Sequence, residues 1–123
     1  MFDFIHVQFD EEYGYAAHLF KEYAAWLNID LSFQHFDEEL TALKKMYAAP
    51  KGTIILCLQE KAPIACVAVR PIDTEICELK RMYVKAEYQH NGIGQTLLNQ
   101  SIQFARKAGY QKMRLDTLNT MIP

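Results

Sequence analysis

Gly92 and Gly94 stand one residue apart in YQHNGIGQTLLNQ, residues 88–100 of a 123-residue chain with only five glycines. They follow an apolar run and precede apolar residues at helical spacing. A tight turn accounts for such a pair. So does a site where main-chain N–H groups wrap an anion: glycine lets a ligand approach the backbone closely. The free N–H groups and dipole of a following helix then favour negative charge. Two specific phosphate loops do not fit. A Walker loop needs Gly-Lys-Ser/Thr, but Gln95 and Thr96 follow Gly94. A dinucleotide fingerprint needs a third glycine where Leu97 stands, and an early β-α-β unit where this one is late. What remains is a pyrophosphate cradle without a lysine, to which Thr96 can add a hydroxyl donor.

Other chemistries have little support. His6, His18, His35 and His90 show no metal-ligand spacing, so no metal is expected. There is no GxSxG and no HExxH, and the only serines are Ser32 and Ser101. His90, inside the glycine stretch, faces either phosphate or solvent. Cys57, Cys66 and Cys77 are odd in number and lack CxxC spacing. They read as reduced core thiols rather than a disulfide framework or zinc site, which fits a cytoplasmic location.

Half of the residues are hydrophobic, enough for one domain with its own core. The net charge is −2 with both signs interspersed, which gives no broad attraction to nucleic acid or membrane. The N-terminus lacks a basic region and long apolar run, so it is not a signal peptide. The longest mostly apolar stretch, residues 62–69, is too short to span a bilayer.

These residues need elements to hold them. Residues 2–9 alternate enough to predict a strand. A helix follows from Asp10, with Glu11 and Glu12 in its first turn and Ala16, Leu19, Phe20, Tyr23 and Leu27 on its inner face. A second helix is expected over residues 37–48, ended by Pro50 and Gly52. Residues 53–59, 62–70 and 76–84 read as an antiparallel meander. The loop over residues 85–94 leads into a helix from about Gly94 to Ala108, with Gly109 past its end, and a strand over residues 110–118. The order β-α-α-β-β-β-α-β predicts an α/β (α+β) fold: a mixed, mostly antiparallel sheet flanked by helices, its last β-α-β unit parallel.

Gln89-His90-Asn91-Gly92-Ile93-Gly94, placed between a strand and a helix, resembles the acyl-CoA signature of the Gcn5-related N-acetyltransferases (GNAT). That signature is Arg or Gln, two residues, Gly, one residue, then Gly or Ala. The flanking ELKRMYV and RKAGYQKMRLDT are similar to the family's fourth strand, third helix and fifth strand. The likeness runs over nearly the whole chain, taken as one domain over residues 1–123.

The resemblance implies an N-acetyltransferase moving an acetyl group from acetyl-CoA to an amine of a small molecule or peptide. Backbone groups of Met82, Tyr83 and Val84 would pair with the pantetheine like an added strand, although Met82 and Val84 are equally good core residues. Backbone N–H groups of His90, Asn91, Gly92, Ile93, Gly94 and Gln95 would hold the pyrophosphate, with Gln89 and Thr96 flanking them. Glu78 is the candidate general base, a role that burial of a carboxylate favours. An ion pair of Glu78 with Lys80 or Arg81 is the competing reading. Tyr23, Trp26, Phe33, His35 and Phe36 are candidates to meet the acceptor, though aromatic residues at helical spacing also build cores.

The chain departs from the family at its end. A Leu-Tyr-x-x-x-Gly-Phe-like stretch, which would supply a tyrosine acid, is absent, as are a last helix and two strands. The family's usual asparagine falls at Met121 rather than Asn119. A C-terminally incomplete domain, or a homodimer covering the fifth strand's edge, is therefore expected. The rival reading is a non-catalytic CoA-binding or regulatory module of the same fold.

Overall fold

The computed structural model describes residues 2–26 and 43–115. In chain order these form β1 (Phe2–His6), α1 (Asp10–Trp26), β2 (Thr53–Gln59), β3 (Ala62–Pro71) and β4 (Ile76–Val84). A short 3-10 turn (Ala86–Tyr88), α2 (Ile93–Lys107) and β5 (Lys112–Leu115) follow. One five-stranded sheet runs in the order β1-β2-β3-β4-β5. Its first four strands are antiparallel, and β5 lies parallel to β4. The meander and the parallel crossover are as the sequence predicts. Helical backbone at Leu43 to Met46 lies within the second predicted helix, whose residues 37–42 fall outside the described residues. Residues 116–118 of the last predicted strand fall outside them too.

β1 stops at His6, three residues short of the prediction. The cause is local. Glu12, in the first turn of α1, accepts hydrogen bonds from the N–H groups of Gln8 at 2.7 Å and Phe9 at 3.1 Å. Those donors therefore serve the helix start rather than a ladder. Phe9 is left 67% exposed instead of facing the core.

The sheet is covered on both faces. Side chains alternate along a strand, so Ile54, Leu56, Cys66 and Ala68 pack with Ala16, Leu19 and Phe20 of α1. Ile55, Cys57, Ala65 and Val67 pack on the other side with Ile93 and Leu97 of α2. This two-sided burial explains why β2 and β3 read as near-continuous apolar runs. Each fully buried Leu or Ile contributes about 1.5–3 kcal/mol. α2 ends in a Schellman turn: Gly109 has φ +93°, its N–H donates to Arg106 O, and Tyr110 N–H donates to Ala105 O. No helix among the described residues is long and apolar enough to cross a membrane.

β4 is not a regular strand. Lys80 pairs with Ala68 and Tyr83 with Cys66, so Arg81 and Met82 together stand opposite Val67. This is a β-bulge, with Arg81 in the left-handed region at φ +59°. Cys66 Sγ donates to Arg81 O at 3.2 Å, tying the bulge to β3. The bulge reverses the phase of the strand. Cys77 and Leu79 face α2 before it, and Met82 and Val84 face α2 after it. Tyr83 is thereby turned to the α1 face, the face on which Glu78 lies.

Candidate active site

The described pairing of β5 with β4 ends at Leu79 and Leu115. Met82, Tyr83 and Val84 run on past it toward the glycine loop. Lys85 N–H donates to Ile64 O at 3.0 Å, and the 3-10 turn then carries the chain away from the sheet. Gln89 folds back, its Nε2 donating to Val84 O at 3.1 Å. Asn91 Nδ2 donates to Tyr88 O at 3.1 Å. Both amides thus shape the loop. Tyr88 also meets Phe2 edge-on, with ring centroids 6.3 Å apart, which fixes the loop against β1.

α2 begins at Ile93, one residue earlier than predicted, and Gly92 is its N-cap with φ +76° and ψ 6°. A left-handed residue without a side-chain oxygen caps nothing, so the first-turn donors stay open. The N–H groups of residues 90–95 have no hydrogen-bond partner among the described residues. The first closed bond is Thr96 N–H to Gly92 O, at 3.0 Å. The Thr96 hydroxyl donates to the same carbonyl at 3.0 Å. This corrects one expectation: that hydroxyl proton is committed inside the helix turn rather than offered to a ligand. Gln95 is likewise engaged, its Nε2 donating to Asn99 Oδ1 at 3.0 Å.

What the loop offers is therefore main chain: a row of N–H donors at the positive end of a 15-residue helix. Buried Ile93 and Leu97 pack against β3 and β4 residues and hold that end in place. Gly94 leaves the approach open, since a Cβ there would meet only Val84 Cγ2, at 4.0 Å. His90 is exposed in the loop, with φ +69°.

Glu78 pairs with neither Lys80 nor Arg81 in the described structure. Its partner is Arg70, directly opposite on β3, whose Nε donates to Oε1 at 3.0 Å. The Glu78 side chain is 15% exposed, and Oε2 has no partner among the described residues. The strand reading overlooked Arg70 because cross-strand register is not visible in one strand's sequence.

On the α1 face, Tyr83 lies 6.2 Å from Tyr23 and 6.0 Å from Trp26, ring centre to ring centre. Tyr23 is only 4% exposed and supports this wall from beneath, so it does not reach an incoming acceptor. Trp26 is 51% exposed. Phe33, His35 and Phe36 lie outside the described residues. Glu22, which the sequence did not single out, sits beside the wall. Burial pushes the Tyr83 hydroxyl pKa up, and the nearby Glu22 carboxylate adds to the rise. His18 Nε2 and Lys85 Nζ lie 3.2 and 3.4 Å from Glu22 Oε1.

The cysteines are free and buried. Burial raises the Cys57 thiol to about 11, and raises Cys66 and Cys77 as well, so none is a ready thiolate. Among the described residues no cluster of three or more His, Cys, Asp or Glu side chains is placed to hold a metal.

A bulged fourth strand thus leads through a glycine loop into an uncapped helix, an arrangement able to hold an anion by main chain. The chain belongs to the GNAT family of acetyltransferases, whose model matches residues 14–122. It is 37% identical over 107 residues to an uncharacterized N-acetyltransferase of Schizosaccharomyces pombe, over 85% of this chain and 66% of that protein. It thus spans just under two thirds of that relative. The fold is similar to a GNAT-family acetyltransferase of Staphylococcus aureus Mu50, with a TM-score of 0.83 at 17% identity over 99% of this chain and 76% of the other. It is also similar to a predicted acetyltransferase of Clostridium acetobutylicum crystallised with acetyl-CoA. There the TM-score is 0.87 at 15% identity, over 100% of this chain and 85% of that one.

Proposed function

We propose that this chain transfers the acetyl group of acetyl-CoA to an amine. The observation that carries the reading is the row of unpartnered N–H groups over residues 90–95 at the start of α2, beside the end of β4. The crystallised relative from C. acetobutylicum, which holds acetyl-CoA, supports the same cofactor here. In this reading the pyrophosphate rests on those donors. The pantetheine lies along the Met82–Val84 backbone and brings the thioester back along β4 toward Glu78. The amine nitrogen attacks the thioester carbonyl carbon, the C–S bond breaks, and CoA leaves as its thiolate. Glu78 takes the proton shed by the amine, directly or through a water. Arg70, holding Oε1, orients the carboxylate and leaves Oε2 for that proton. The three unpaired thiols fit a reducing compartment, and we place the protein in the cytoplasm.

Glu78→Gln tests the assignment. A general base contributes about 10²–10⁴-fold, so kcat should fall by at least about a hundredfold while acetyl-CoA affinity holds. Unchanged kcat would make the pair with Arg70 the whole role of Glu78. Tight acetyl-CoA binding with no free thiol released to any amine would favour the non-catalytic module.

A further inference from the structure

Glu22 is a carboxylate that the proposed reaction does not use. It lies on the face of β4 that carries Glu78, but further toward the cofactor end. Glu78 and Tyr83 are separated by about 13 Å of strand, at roughly 3.3 Å per residue with one residue absorbed by the bulge. Two carboxylates thus mark the two ends of one face. Glu22 lies near the Tyr83 hydroxyl and one helical turn before Trp26 on α1, whose half-exposed ring meets that of Tyr83. A carboxylate next to an accessible indole face is the chemistry that selects an alkylammonium.

The free protein already places an alkylammonium there: Lys85 Nζ, 3.4 Å from Glu22 Oε1. That separation exceeds the usual N–H···O distance, and both side chains are 29% exposed. A pair of that length between partly exposed side chains is exchangeable.

We propose that Glu22, with the rings of Trp26 and Tyr83, is a subsite for a second cationic group of the acceptor. The preferred substrate is then an elongated amine carrying another positive charge. One end is anchored at Glu22 in place of Lys85, and the other is presented to the thioester near Glu78. This rests on the transferase reading, and the test keeps the two separable.

Trp26 is the only tryptophan of the chain, so its emission reports the subsite without turnover. Titrating the protein with 1,6-diaminohexane at constant ionic strength, without acetyl-CoA, should give a saturable change in that emission. Losing one charge-assisted contact in Glu22→Gln should weaken this binding about tenfold or more. Lys85→Gln, which removes the competing ammonium, should tighten it. In acetyl transfer, Glu22→Gln should raise KM for 1,6-diaminohexane about tenfold with kcat within about twofold, the mark of lost uniform binding. KM for hexylamine, whose single amine is the one that reacts, should not move. The proposal is overturned by an emission titration identical in Glu22→Gln, by weaker diamine binding in Lys85→Gln, or by equal KM shifts for the two amines. Absence of turnover with both amines contradicts the transferase reading instead, and the emission titration still decides the subsite.

Discussion

Gly92 and Gly94 perform different tasks, although the sequence presents them as one motif. Gly92 is required by conformation: its φ is +76°, and a Cβ there would meet no neighbour within 4 Å. Gly94 has ordinary helix backbone, so in the proposed reading its part is access: the space beside it is where a cofactor would pass. Substitutions at Gly92 should therefore follow backbone preference rather than size. Asparagine tolerates the left-handed region, whereas a β-branched residue pays about 1–2 kcal/mol or more. Gly92→Asn should keep the melting temperature within a few degrees of the parent. Gly92→Val should lower it clearly and weaken acetyl-CoA binding with it. Equal melting temperatures for the two would refute the conformational account.

The element that turns a meander into a site is the bulge in β4. The run ICELKRMYV reads as one strand, and its ends were legible because Asp73 and the Val84–Lys85 boundary punctuate it. The bulge was not legible: the α2-facing positions shift from Cys77 and Leu79 to Met82 and Val84. An apolar residue on an α/β sheet is buried on either face, so composition does not reveal that shift. Register with β3 does, and register is a tertiary property. The pairing of Glu78 with Arg70 was hidden for the same reason, and Glu22 because it meets Tyr83 only when α1 packs on β4. By contrast, the glycine loop was legible residue by residue, because local geometry alone demands its residue types. Deleting Arg81 should restore a regular ladder and keep Met82 and Val84 on the α2 face, because Leu79, Met82 and Val84 then alternate without a break. The deletion also removes the left-handed backbone at Arg81, which costs a residue other than glycine about 1–2 kcal/mol. Circular dichroism should then show a cooperative melt within a few degrees of the parent's, and a broad melt at much lower temperature would mean that Arg81 is not simply the inserted residue that sets the phase.

Across the whole molecule, both faces of the sheet converge on one strand end. The α2 side supplies an anchored helix whose first N–H groups are open, and the α1 side supplies aromatic rings and carboxylates. β4 lies between them and feeds both. In the proposed reaction the cofactor and the acceptor would therefore use separate faces and meet only at the thioester. The central claim is that main-chain donors at the start of α2 hold the cofactor. Gly94→Glu isolates it. An acidic residue in the first turn of a helix is favoured by about 0.3–1 kcal/mol, so the fold should be kept or slightly strengthened. The same charge faces an incoming pyrophosphate. Isothermal titration calorimetry with acetyl-CoA should show saturable binding to the parent protein and at least about tenfold weaker binding to Gly94→Glu, one unfavourable charge contact being sufficient for that. Equal affinity in a variant with an unchanged melting temperature, or no binding by the folded parent protein, would contradict the account.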